Sequence, residues 1–484
     1  MTAATRPPAW VRVADAAAVA GFVLTIFVVL FGGFDFRLPG FAVRVHSAGR
    51  LLFFAAALIA VRHAAHPSPP LHRRLLTAIR ERNTRPDAGV VTHALTSRAV
   101  ILFIGYFAVL TVGIDRSTQG FVLSPDHLFN LPARFDAGWY GGIALDGYHF
   151  GGSFDRQQNI AFFPAFPMLM RAAGYPIGAF APGVAKERRM ARLLWGGTIL
   201  SILAFAWGAL YLWRLARDMI GEPHAHAAVI LLAAYPFSVF YSAPYTESLF
   251  FLGSVAAIYH FRRAELIAAA FWGALVGLTR PNGCFLSVVL ALLIGESLYR
   301  SRRQHPQLPD SPITQLPNYK LLPALLSASA PGLAMLAYSA YVNSLTGAWF
   351  GWARLHEAWG RSYSGVAPMT RAYGWITDEG LLHVFEGVPF DTLNSFGLIF
   401  VLLMVWPVAR RLGIAFAAFI LVNAIPPLLA GGVLSMGRLT ATLFPVFLAL
   451  AVTVRPRVIP PLITAFAIGQ GLAAVLFFTW RPLF

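Results

Sequence analysis

Asp136 stands in the run Arg134-Phe135-Asp136-Ala137-Gly138-Trp139-Tyr140, followed by Asp146-Gly147-Tyr148 and Ala161-Phe162-Phe163-Pro164. A carboxylate among apolar and aromatic neighbours is costly unless it is paired or put to use. Two uses fit. As the N-cap of a helix, Asp136 accepts from the amide of Gly138 or Trp139. As a general base it takes a proton from a hydroxyl nucleophile, at a helix terminus that favours negative charge. Both readings fit the residues equally. The stretch from Leu131 to Tyr175 is rich in paired aromatics, glycine and proline, the make-up of a working loop rather than a span.

No soluble-enzyme signature accompanies Asp136. The sequence has no Gly-rich phosphate loop closed by Lys-Ser/Thr, no Gly-x-Ser-x-Gly, no His-Glu-x-x-His and no Cys-x-x-Cys. His224 and His226 lie two apart with no third ligand at a matching spacing, and His63, His66 and His72 fall on a basic stretch, so no metal site is expected. The single cysteine, Cys284, allows no intramolecular disulfide.

The elements that must position Asp136 are membrane helices. Of 484 residues, 57% are hydrophobic and 12% charged, against about 25% charged in soluble domains. The pattern predicts an all-α polytopic membrane protein without strands. The net charge of +17 comes from arginines clustered beside apolar segments, as the positive-inside bias produces, and not from a nucleic-acid surface. Segments near 16–31, 51–61, 99–114, 193–213, 225–241, 247–261, 266–279, 284–299, 322–343, 392–409, 412–430, 439–454 and 459–479 give about 13 expected spans. The first is read as a retained helix, because Gly32-Gly33-Phe34 is not a small-x-small cleavage site.

A basic segment with Arg73, Arg74, Arg80, Arg82 and Arg85 is expected in the cytoplasm. Residues 115–190, and Asp136 with them, then face outward. In this first outer loop, residues 136–148 and 162–173 each suit a short interfacial helix. Arg214 with Arg217, Arg262 with Arg263, the Arg300 to Lys320 loop, Arg410 with Arg411, and Arg455 with Arg457 all fall inside. Lys186, Arg188, Arg189 and Arg192 fall outside, against the rule. A second outer segment, residues 345–391, carries Trp349, Trp352, His356, Trp359, Arg361 and Trp375. Two long loops on one face make it the working face. The chain reads as residues 1–97, a two-helix membrane extension with a basic cytoplasmic segment, and residues 98–484, the working membrane domain.

The Asp136 run, with Ile143-Ala144, Asp146-Gly147-Tyr148 and Ala161-Phe162-Phe163-Pro164, resembles the signature loop of the PIG-V family of mannosyltransferases, including its bacterial members. Three further segments resemble motifs of that family in the same order. They are Pro236 to Ser248, ending Tyr245-Thr246-Glu247-Ser248; Leu278-Thr279-Arg280-Pro281-Asn282-Gly283; and Ser435-Met436-Gly437-Arg438 with Phe444-Pro445. The similarity runs over residues 98–454. It implies a GT-C membrane glycosyltransferase that moves a sugar, mannose first, from a polyprenyl-phosphate donor to an outer-side acceptor with inversion. No cofactor is implied. Arg438 is followed by Leu439, where an aromatic is more usual in the family, so the ring expected beside that arginine is missing from the motif.

Under this resemblance Asp136 is the base, and Arg280, Arg438 and Arg361 meet the donor phosphate. Arg134, Trp139, Tyr140, Tyr245, Glu247, Asn282 and Trp359 contact sugar or acceptor. Arginine suits phosphate by its planar fork, and its charge beside a single lipid phosphate makes a metal unnecessary. Simpler roles stay open: headgroup anchors for the arginines, dipole pairing for Glu247, a plain turn for Asn282-Gly283, interface anchors for Tyr245, Trp139 and Trp359. The expected partners are the polyprenyl-phosphate sugar, a glycolipid, glycan or protein acceptor, and lipid, in a bacterial inner membrane. The rival is a lipid-linked-sugar flippase or small-solute transporter. Transporters carry ionisable groups on broken helices in paired halves, and no internal repeat is visible. A catalytically dead assembly partner would have no need of Asp136.

Overall fold

The structure is a computed structural model that describes residues 8–31, 33–38, 41–45, 47–67, 70–73, 86–302, 317 and 319–483. Arg74, Arg80, Arg82, Arg85 and residues 303–316 of the expected basic loops lie outside the described residues. The chain divides into two compact units, residues 1–89 with 174–192, and residues 90–173 with 193–484.

In the smaller unit, helices α1 (Ala9–Phe31) and α2 (Ala48–Ala65) are joined by an antiparallel hairpin, β1 (Phe34–Leu38) and β2 (Phe41–Val45). Asp35 stands opposite Arg44 in its register. The hydropathy reading expects no strands; Phe34, Phe36 and Leu38 do alternate with Asp35 and Arg37, a period of two, but the long apolar runs on either side dominate the pattern. The two helices approach closely, since a Cβ on Gly21 would lie 3.0 Å from that of Ala55, as small residues allow in membrane helix pairs. Asp15 and Arg62 form a buried ion pair, Nε to Oδ1 2.9 Å.

The larger unit takes α3 (Pro86–Thr111) from Val90 onward, then α4 (Ala137–Asp146), α5 (Ala165–Gly174) and, from Leu193, α6 (Lys186–Ile220). It continues with α7 (Glu222–Ala234), α8 (Glu247–Arg262), α9 (Leu266–Gly277), α10 (Leu286–Arg302) and α11 (Leu321–Thr346). The second long loop folds as α12 (Gly351–Leu355), a 3-10 turn over His356–Trp359, α13 (Ala367–Glu379) and α14 (Leu381–Gly387). Helices α15 (Pro389–Leu403), α16 (Val405–Leu412), α17 (Ile414–Gly431), α18 (Met436–Thr440), α19 (Pro445–Thr453) and α20 (Ile459–Phe478) complete the chain.

Among the described residues nine helices are long and apolar enough to cross a membrane, ten if one bent pair counts as a span. The protein is helical and multi-pass. Three of the expected spans come out short, because α8, α9 and α19 have 16, 12 and 9 residues, below the about 20 a straight crossing needs. Helices α8 and α19 are buried along most of their length. A helix apolar all round is either a span or a core element, and hydropathy does not separate the two. The first loop does carry two short helices, α4 and α5, near the expected positions.

The expected span 225–241 is instead broken. Helix α7 stops at Ala234 and the 3-10 segment Pro236–Ser242 turns away by 80°. Pro236 has no amide hydrogen to continue the helix, and a break inside the bilayer must satisfy the carbonyls it frees. Arg98 of α3 donates to Ala233 O at 2.6 Å and to Ser238 O. Gln470 of α20 donates to Ala233 O at 2.9 Å and Tyr235 O at 3.0 Å. The pinned bend delivers Tyr245, Thr246 and Glu247 to the start of α8.

Candidate active site

The site begins with how the chain turns into α4. Arg134 is fully buried and spends its guanidinium on carbonyls: Nε donates to Phe478 O at 2.7 Å, Nη1 to Asn130 O at 2.8 Å and to Ala133 O at 2.7 Å. Phe135 then takes φ +42°, a left-handed conformation that costs a non-glycine residue. Its ring is seated on Trp480 and Phe477, centroids 4.6 and 5.9 Å away. Asp136 follows at the head of α4 and makes no side-chain cap bond. The capping role open to it in the sequence is therefore not the one it plays.

Its carboxylate instead meets residues from far along the chain. Arg438 Nη1 donates to Asp136 Oδ2 at 2.6 Å, and Arg438 Nε lies 3.2 Å from Glu247 Oε1. Arg280 Nη2 reaches the same Glu247 oxygen at 3.2 Å and donates to Thr246 Oγ1 at 2.8 Å. The result is an alternating row, Asp136, Arg438, Glu247, Arg280. Side-chain exposure is 21% for Asp136, 16% for Arg438 and 2% for Glu247, so the row opens outward at its Asp136 end. Arg438 also lies 5.5 Å from the centroid of the Tyr245 ring, within cation–π range. That ring stands beside the arginine despite Leu439.

Arg361, in the second loop, donates from Nη2 to Leu434 O at 3.1 Å. Burial first, and then the charge of Arg438, push its guanidinium down to about 10, with Asp136 acting the other way. It thus stands in the electrostatic field of the row.

Residues 119–343 match the family model described as Mannosyltransferase (PIG-V). The match supports a glycosyltransferase, and it takes in Asp136, Tyr245, Glu247 and Arg280. Trp359, Arg361 and Arg438 lie beyond it, and Arg438 joins the PIG-V region through its contacts with Asp136 and Glu247. No curated protein matches the chain.

Tyr245 supports the turn into α4 from below. Its hydroxyl donates to Arg134 O and accepts from Asp136 N, both at 3.1 Å. Trp139 stacks on Phe162 at 5.7 Å and meets Trp359 edge-on at 5.6 Å, so the two loops share one aromatic wall beside Asp136. Tyr140 is buried behind that wall, against Phe162, Phe166 and Tyr245. Asn282 lies away from it: its Nδ2 donates to Asn423 Oδ1 at 2.8 Å, tying the turn after Arg280 to α17. Arg134 and Asn282 thus hold the framework, while Asp136, Arg438, Glu247, Arg280, Trp139 and Trp359 come together.

The residues that aim Arg438 carry little sequence signal. Gly437 N donates to Asn394 Oδ1 at 2.7 Å, and Asn394 Nδ2 donates to Leu483 O at 3.0 Å. A Cβ at Gly437 would run into the Phe237 ring. Ser435, at φ +61°, turns the chain into α18. An asparagine inside the apolar run 392–409 was the available clue, since amides in spans are kept for a partner. Among the described residues no three His, Cys, Asp or Glu side chains gather as metal ligands.

Beyond the row, an open cleft of about 510 Å³ runs along α4 and the loop that follows it. Asn159 shapes that loop, accepting from His149 N at 3.1 Å and donating to Gly147 O at 2.9 Å.

Proposed function

We propose that this protein is an inverting GT-C glycosyltransferase that moves mannose from a polyprenyl-phosphate donor to a hydroxyl acceptor on the extracytoplasmic face of a bacterial inner membrane. The observation that carries the reading is the row of Asp136, Arg438, Glu247 and Arg280. With Arg361 nearby, three guanidinium groups stand against two carboxylates, which leaves one formal positive charge. A phosphodiester donor brings one negative charge to match it. Arginine forks suit its oxygens, and the prenyl chain stays in lipid beside the helices.

Asp136 Oδ1 accepts no hydrogen bond among the described residues and is the acceptor for the proton. The acceptor oxygen forms its bond to the anomeric carbon as its hydrogen passes to Asp136. The bond from that carbon to the phosphate oxygen breaks on the opposite face, and its electron pair leaves with polyprenyl phosphate. Arg438 and Arg280 take up that charge. Attack opposite the leaving group inverts the anomeric centre. Trp139 and Trp359 offer the sugar a wall, and residues 1–97, outside the family match, are an added membrane segment.

The test is purified protein in lipid nanodiscs with radiolabelled polyprenyl-phosphate mannose and mixed acceptors. A new mannosidic bond is expected. A flippase or transporter would relocate the donor and form no bond. Equal turnover of a nucleotide-sugar donor would overturn the donor assignment.

A further inference from the structure

The cleft along α4 has a floor of unusual make-up. Gly138, Gly142 and Asp146 follow at four-residue spacing, so they share one face of the helix. That face extends about 12 Å from Gly138 to Asp146 at 1.5 Å per residue, and Trp139 is the lining residue it shares with the aromatic wall beside Asp136. Gly142 is the informative position. Glycine inside a helix costs about 1 kcal/mol relative to alanine, and among the described residues a Cβ there would meet no atom within 4 Å. No described packing neighbour asks for glycine at 142; what its missing side chain keeps open is the cleft.

The walls narrow the ligand class. Trp139 supplies one apolar surface, and Asp146, His149 and Gln157 supply hydrogen-bonding groups. Among the described residues no aliphatic side chain lines the cleft, so it is not a groove for a prenyl tail. Its charges have both signs, Asp146 against Arg156, and it presents no single-sign field to gather a polyanion. An aromatic face beside scattered polar groups matches a sugar ring, which offers a C–H face and hydroxyl edges.

We infer that this cleft is the acceptor subsite and that it takes a neutral oligosaccharide, entering from the water side with its terminal hydroxyl toward Asp136. The inference rests on the glycosyltransferase reading, which already assigns the donor phosphate to Arg438 and Arg280. Acceptor and donor then approach Asp136 from different solvents, water and lipid.

The experiment is saturation-transfer NMR on the full chain in nanodiscs, with mannotriose as probe and tripolyphosphate as competitor. The parent protein should bind mannotriose, and Gly142→Trp should weaken binding about tenfold or more by filling the floor. Gly142→Ala places its methyl in the cleft, so it should keep the parent's thermal midpoint or raise it while weakening mannotriose binding less than Gly142→Trp does. Binding unchanged in Gly142→Trp, or displacement of mannotriose by tripolyphosphate, would overturn the assignment. Gly142-dependent binding in a protein that forms no glycosidic bond from any polyprenyl-phosphate sugar would uphold the cleft and sink the glycosyltransferase reading. Mannose transfer with an acceptor KM unaffected by Gly142→Trp would do the reverse.

Discussion

Arg438 Nη1 donates to Asp136 Oδ2 at 2.6 Å across 302 positions of sequence, and Nε of the same guanidinium faces Glu247 Oε1 at 3.2 Å. One planar group therefore holds two carboxylates at once. A lysine ammonium is a point charge on a flexible stem and cannot address both. Arg438→Lys is expected to lower kcat/KM about 100-fold or more, read from initial rates of sugar transfer. A parental rate would show that charge alone suffices at this position.

Glu247 is the buried bridge between two arginines, its side chain 2% exposed. Glu247→Gln leaves Arg438 and Arg280 without their shared counter-ion, and breaking a buried ion pair costs about 3 kcal/mol or more. A lower thermal midpoint is expected together with a raised donor KM, measured by nanodisc thermal unfolding and donor titration. If neither moves, the row is not a unit.

Tyr245 acts on the Asp136 turn through its hydroxyl, which bridges Asp136 N and Arg134 O. Tyr245→Phe keeps the ring beside Arg438 and removes both hydrogen bonds, worth about 1 kcal/mol each in stability. The rate should fall about tenfold or more as the carboxylate drifts from its line, while donor KM holds. A fall in stability alone would make Tyr245 a framework residue.

These expectations also mark what the linear sequence can carry. Asp136 stood out because a carboxylate in an aromatic loop is costly, and Glu247, Arg280 and Arg438 because their segments resemble one family in order. Their pairing could not be read, since each contact joins loops made neighbours only by the bundle. Arg134 and Asn282 sit in the same motifs yet bond to Phe478 O and Asn423, partners that motif membership does not indicate. The bend after Ala234 escaped because hydropathy averages over Pro236. Asn394 escaped because one amide hardly changes the mean of an apolar run.

His356 offers a pH test outside the row. Burial first, and the facing Arg361 next, push its imidazole down to about 4 from the ordinary 6.5, and its Nε2 is buried without a hydrogen-bond partner among the described residues. Between these values the unfolded chain binds a proton that the folded chain does not. Stability is therefore complete above pH 6.5 and is lost as pH falls toward 4. From pH 7 to 5 the parent should lose on the order of 1 kcal/mol more than His356→Gln, read as the difference between their thermal midpoints. Equal losses would show that His356 is protonated without cost.

The most direct measurement is transfer of radiolabelled mannose from polyprenyl-phosphate mannose, comparing the parent with Asp136→Asn at equal amounts of folded protein. Asparagine keeps an oxygen for Arg438 and takes no proton. A loss of about 100-fold or more in the variant, with the donor still bound, is the expected result. Transfer by Asp136→Asn at the parental rate would contradict the assignment of Asp136 as the base.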